Sequence, residues 1–359
     1  MSLCFLLVCV LFLSVPARAA ELDSLLDTGA LTGELPASAG EFIPGASPGK
    51  LPDKGVFRTA ADKVGEMAAK EWASVSRTAG ILLLVCLFYS ISRSADADGR
   101  VSRYVTIAGV AAVGAASMAD LDSYLQTGLR SLQELSDYSR VLLPVLTTAA
   151  SASGSVTAAG AKYAATALAM DVLLSLSRNV ALPLAGGYAA LALADAAVGN
   201  DVLKAAKKLM KWACVTLAAA LATGFTAWLS LTGIAAGAAD TLAARMTKST
   251  LSAALPVLGS ILADAAGSLT AAASMLRSTV GIFGLLAVLG ICLAGMIPLA
   301  VRYLVYKLSA AVCSCLADRR MGELIGDLGA CFGLILAVNA AGGLMMFISV
   351  YSLMRTVLP

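Results

Sequence analysis

Hydrophobic positions along this chain gather into long runs separated by short charged stretches, and they almost nowhere alternate with polar ones. Runs of roughly 20 apolar residues, rich in Ala, Leu and Gly, recur between Ala79 and Leu358; a bilayer core takes that length of helix, whereas a barrel strand would show a period of two. The expected fold class is all-α. It is a polytopic integral membrane protein with about seven transmembrane helices and re-entrant or broken segments, preceded by a signal peptide and an extracytoplasmic amphipathic helix.

Four stretches follow from the pattern. Residues 1–20 read as a signal peptide, with an apolar core from Leu3 to Val15, then Pro16 and the small-residue pattern Ala17-Arg18-Ala19. Residues 21–54 read as a flexible extracytoplasmic linker, because Pro36, Pro44, Pro48 and Pro52 forbid a long helix. In 55–77, Phe57, Ala60, Ala61, Val64, Met67, Ala68, Trp72 and Val75 recur at helical spacing, with Arg58, Asp62, Lys63, Glu66 and Lys70 on other faces. That spacing predicts an amphipathic helix lying on the membrane or packed on its own protein. Residues 78–359 form the polytopic domain.

Within that domain, crossings are expected over 79–92 and 104–119, joined by a loop holding Arg93, Arg100 and Arg103, which the positive-inside rule places in the cytoplasm. The stripe Leu121, Tyr124, Leu125, Leu129 and Leu132 in an otherwise polar stretch predicts a second interfacial helix over 120–140. Between Val141 and Gly199, three short crossings or one crossing with a re-entrant hairpin both fit. Trp212 to Ala236 predicts an outward crossing, Leu251 to Met275 a re-entrant pair or discontinuous helix, and Ser278 to Val301 an inward one. Arg302, Lys307, Arg319 and Arg320 then mark a cytoplasmic segment, and a last span from about Leu328 places the C-terminus outside.

Composition adds exclusions. Hydrophobic residues make up 59% of 359 positions and charged residues 14%, so there is too little polar surface for a water-soluble domain. The net charge of +3 is small, and no basic and aromatic interleaving suggests a nucleic-acid partner. There is no His, which removes the commonest general base and metal ligand. With no Walker loop, dinucleotide fingerprint or nucleophile elbow, neither an enzyme nor a cofactor is expected. Cys86, Cys214, Cys292 and Cys331 sit in apolar runs as small hydrophobes, and Cys313 and Cys315 read as ordinary thiols.

The informative residues are polar groups in apolar surroundings. Asp171, Asp195, Asp264, Asp327 and Lys162 fall within or at the edges of apolar runs, where an ionised side chain at the bilayer centre costs at least about 2.5 kcal/mol. They are candidates for an intramembrane polar pathway. Leu182 to Gly186 before Ala194-Asp195-Ala196-Ala197 resembles Leu255 to Gly259 before Ala263-Asp264-Ala265-Ala266, with Leu143-Pro144-Val145 as a partial third copy. Pro144, Pro183, Pro256 and Gly259 are therefore candidate breaks in helices around a midplane site. Lys204, Lys207, Lys208 and Lys211 stand at i, i+3, i+4 and i+7, a candidate cytoplasmic basic face that suits anionic headgroups or an acidic partner. The GxxxG pairs Gly233 and Gly237, Gly322 and Gly326, and Gly329 and Gly333 indicate close helix packing.

The leader, the amphipathic helix, Leu142 to Thr148 with Ser151 to Ser155, and above all Leu255 to Ser268 resemble stage III sporulation protein AE, with the best match over Val141 to Arg355. The resemblance implies a role in endospore formation, in the mother-cell membrane around the forespore. It also implies partners: the lipid bilayer, the other stage III operon proteins, namely a secretion-type ATPase and ring-forming subunits, and a forespore membrane protein. The expected function is a membrane platform or export-gate subunit of that channel complex, with the mature N-terminus extracytoplasmic. The alternative is a stand-alone secondary transporter of a small solute, with Asp195 and Asp264 at its midplane site.

Overall fold

The computed structural model describes residues 28–33, 35–42, 54–95, 102–152, 156–217, 219–220, 223–225, 227, 258–316 and 319–354. Among them every extended element is a helix. Two short turns come first, α1 (Thr28–Gly33) and α2 (Ala37–Gly40), followed by α3 (Lys54–Ala95) and α4 (Ser102–Ala152). Then come α5 (Val156–Leu176), a π-helical turn Ser177–Ala181, α6 (Leu182–Val198), α7 (201–217), α8 (Leu258–Leu316) and α9 (Arg319–Met354).

The antiparallel hairpin of α8 and α9 is the axis of the bundle. Gly281 faces Met354, Gly343 faces Cys292, Gly333 faces Tyr303, and Gly329 faces Tyr306. The GxxxG pairs of α9 thus lie against α8. Gly329 in particular leaves no room for a side chain, since a Cβ there would sit 2.9 Å from that of Tyr306. Gly233 and Gly237 lie outside the described residues. Around the hairpin, α4 runs parallel to α9, with Gly109 at Met321 and Gly128 at Ile335. The rod of α5 and α6 runs antiparallel to α9, from Lys162 beside Ser352 to Tyr188 beside Asp327.

Five helices among the described residues are long and apolar enough to cross a membrane: 58–92, 104–148, 159–198, 280–316 and 319–354. The crossing expected at Trp212 to Ala236 lies largely outside the described residues, as does the signal peptide. Three expectations about continuity change. The amphipathic 55–77 stretch and the first crossing are one helix of 42 residues. The 120–140 stretch is the middle of a 51-residue helix that contains Pro144. Residues from Leu258 onward belong to a 59-residue helix. At 1.5 Å per residue these rods reach about 63, 77 and 88 Å, against roughly 30 Å of hydrocarbon. The 120–140 stripe is packed on the protein's own core through Leu121, Tyr124, Leu125 and Leu132, whereas in the 55–77 stripe Val75 is buried and Trp72 is 48% exposed.

Between 156 and 198 the chain makes a single rod long and apolar enough for one crossing, and it contains neither three short crossings nor a re-entrant hairpin. Its break is the π turn just ahead of Pro183, which stands in the first turn of α6. A proline lacks the N–H and crowds the carbonyl four residues back, so widening the preceding turn keeps the rod continuous. Pro144 only removes one intrahelical bond. Pro256 lies outside the described residues, and Gly259 is the second residue of α8.

The outer surface of α3 and α4 has two zones, while Leu168 and Val172 of α5 and Leu344 of α9 are exposed on their own helices. Near the C-terminal ends of α3 and α8 and the start of α4, the surface is studded with large apolar side chains: Leu84, Phe88 and Ile91 on α3, Tyr104 and Ile107 on α4, and Leu304, Leu308 and Val312 on α8. Towards the other end Arg58, Asp62, Glu66 and Lys70 of α3 and Gln126, Arg130, Gln133, Asp137 and Arg140 of α4 are exposed instead. That polar end is where part of the expected linker packs. Leu31 and Phe42 are fully buried, and Gly290 of α8 has no Cβ because the Ala39 backbone lies there, 3.2 Å from where one would be.

Cys86 of α3 and Cys313 of α8 form a disulfide, which replaces the reading of Cys86 as a simple small hydrophobe and of Cys313 as an ordinary thiol. Both residues are fully buried, out of reach of soluble thiols. Peptide mapping of alkylated, unreduced protein is expected to recover Cys86 and Cys313 in one cross-linked species. Recovery of both as alkylated single peptides would disprove the bond.

Candidate functional site

The turn between α6 and α7 builds the first polar cluster. Gly199 ends α6 in the left-handed region at φ 74°, and its N–H donates to the Asp195 carbonyl at 2.7 Å. Asn200 then caps α7, its side-chain oxygen accepting the Val202 N–H at 3.1 Å. A two-residue turn with both ends capped folds α7 back along α6. Lys207 therefore arrives beside Asp195, twelve residues earlier in the chain.

A Cβ at position 199 would meet the Arg320 guanidinium at 2.9 Å as well as the backbone strain. Gly199→Ala is expected to destabilise the protein by about 1 kcal/mol or more, read as a lowered Tm in detergent. An unchanged Tm would show that the turn relaxes freely.

Lys207 Nζ donates to Asp195 Oδ2 at 2.8 Å and to Asp327 Oδ2 at 2.6 Å. Tyr188 Oη donates to Asp327 Oδ1 at 2.8 Å, so α6, α7 and α9 meet through four side chains. All are largely withdrawn from the surface: the Lys207, Asp195 and Asp327 side chains are 15%, 9% and 22% exposed. One cation faces two carboxylates, and Asp195 Oδ1 is buried with no partner among the described residues.

The second cluster ties α3, α4 and α8. Arg302 donates through Nη1 to Asp120 Oδ2 at 2.5 Å and through Nη2 to Tyr124 Oη at 2.7 Å. Its guanidinium carbon lies 4.1 Å from the Tyr124 ring centre. Tyr124 Oη in turn donates to Glu71 Oε2 at 2.7 Å. Phe332 packs edge to face with the Tyr124 ring at 6.0 Å and tilted against the Tyr306 ring at 5.0 Å between centres.

Of the residues singled out from sequence, Asp195 and Asp327 are brought together and Lys207 joins them. Lys207 thereby leaves the expected basic face; Lys204, Lys208 and Lys211 remain exposed. Asp171 lies on the surface, 3.5 Å from Arg140. Lys162 is buried elsewhere and donates to the Ser352 carbonyl at 3.1 Å. Asp264 lies in α8, and its side chain is outside the described ones. Sequence reasoning missed Glu71, Asp120 and Arg302. Arg302, taken as a cytoplasmic charge, is 4% exposed within a 37-residue apolar span, and that interruption was the available signal.

Both clusters are made of charges closed by their own counterions. No nucleophile stands against a base in either one. Chemically they serve as clamps that tie four outer helices to the central hairpin.

A family model described as stage III sporulation protein AE matches residues 52–356, which contain both clusters. The chain is also similar to the stage III sporulation protein AE of Bacillus subtilis (strain 168), with 26% identity over 221 residues, covering 61% of this chain and 55% of that protein. The match thus spans about half the length of that relative. No solved structure matches the chain.

Proposed function

Since the chain belongs to the stage III sporulation protein AE family, we propose that it is the membrane platform or export-gate subunit of a channel complex joining mother cell and forespore. The observation that carries this reading is the two-zone surface on helices that outreach the bilayer. An apolar half suits lipid, and a polar half about as tall suits partners standing in the space between two membranes. The buried hairpin and its two clamps support a fixed scaffold.

In this reading the mature N-terminus and the arm of α1 and α2 are extracytoplasmic. The end bearing the α3–α4 connection and Arg319 and Arg320 faces the mother-cell cytoplasm, in line with the positive-inside rule. A secretion-type ATPase would dock at that end, and ring-forming subunits and a forespore membrane protein at the other. The protein acts without catalysis of its own.

The secondary-transporter reading draws on the Asp195 and Asp327 pair, but Lys207 already occupies the place between them that a cationic solute would take. Purification of the tagged protein from gently solubilised membranes of sporulating cells, with mass spectrometry of what accompanies it, separates the two. Recovery of the ATPase and ring subunits is expected. Recovery of the chain alone would favour the transporter.

A further inference from the structure

Helix α7 shows three faces once Lys207 is turned inward. Leu203, Ala206, Lys207, Met210 and Cys214 form the side towards the bundle. Lys204, Lys208 and Lys211 form an exposed stripe at i, i+4 and i+7, and Val202, Leu209 and Trp212 form an adjoining stripe in which each side chain is more than half exposed. The only acid next to the lysines on this helix is Asp201, 3.6 Å from Lys204 and itself almost fully exposed. A large apolar stripe left uncovered beside a basic one needs an occupant that is apolar along its length and negative at its head.

We propose that the outer face of α7 binds an anionic phospholipid, with the acyl chain along Val202, Leu209 and Trp212 and the headgroup phosphate held by Lys204, Lys208 and Lys211. Side chains on a helix lean towards its N-terminus, so the three lysines point to the α6–α7 turn and reach headgroup depth by extending their stems along the helix. Arg319 and Arg320 open α9 at the same end, with Arg320 placed against Gly199. Arg320 thus adds a basic group from a second helix at that end, while Arg319 is paired with Glu323 at 2.8 Å. Near an anionic surface each lysine is worth about fivefold in affinity, so three give about a hundredfold.

The test is native mass spectrometry of the full chain in mixed micelles of phosphatidylglycerol and phosphatidylcholine, for wild type, the triple variant Lys204→Gln/Lys208→Gln/Lys211→Gln, and Leu209→Ser/Trp212→Ser. All five positions are exposed, so the bundle should survive, and circular dichroism checks that it does. Wild type is expected to retain phosphatidylglycerol preferentially. The triple variant should lose that preference by about a hundredfold, and the apolar variant should retain less of either lipid. Equal retention of the two lipids by wild type, or an unchanged preference in the triple variant, would overturn the proposal. In the first case the face would be free for an acidic protein helix.

Discussion

Replacing Lys207 with methionine is expected to lower the stability of the folded bundle by about 3–5 kcal/mol, because it leaves two carboxylates facing each other in a largely buried site. The measurement is thermal unfolding in detergent followed by circular dichroism. Removing the charge on both acids as well, in Asp195→Asn/Asp327→Asn/Lys207→Met, should recover most of the loss, since an uncharged trio of similar volume carries no uncompensated ion. A loss under about 1 kcal/mol in the single variant would place the cluster in water, where such pairs count for little.

Arg302→Leu should cost a comparable amount, about 3–5 kcal/mol, for a related reason with a different geometry. Its guanidinium serves Asp120, Tyr124 Oη and the Tyr124 ring at once. A lysine has one compact ammonium in place of the planar fork, so Arg302→Lys should restore only part of the stability. Full rescue by lysine would mean that charge alone matters there and that the fork geometry does not. The two clamps share no side chain, so the losses in a combined variant should add within about 0.5 kcal/mol.

How much of this was legible beforehand depended on which property the residues reported. Continuous apolar runs reported helices and a membrane, and an aspartate inside such a run stood out as a polar group in apolar surroundings; Asp195 and Asp327 lie together on Lys207. Periodicity in 55–77 and 120–140 reported one apolar face on each helix but not how far the helix runs, so the two stretches read as separate pieces when one is the first part and the other the middle of a longer rod. Lys207 shows the angular limit of a stripe. It sits within one turn of Lys204 and Lys211, yet it lies at the edge that turns inward, and only the two-residue turn at Gly199 and Asn200 reveals that. Arg302 and Asp120 are 182 positions apart, and no local pattern links them. The Cys86 and Cys313 bond, across 227 positions, was hidden for the same reason.

The hairpin at the centre of the bundle follows every other described helix in the chain, so it leaves the ribosome after them. Every earlier helix is made before the surface it is meant to rest on, and Ala39, made before any of the long helices, waits for Gly290 of α8 to cover it. A nascent chain halted before residue 280 thus lacks the hairpin that the earlier helices pack on, with Asp120 still without Arg302 and Lys207 still without Asp327. Such a chain should be an easy target for membrane proteases. Closure of the bond to Cys313 then dates the moment at which synthesis has gone far enough for the bundle to stand.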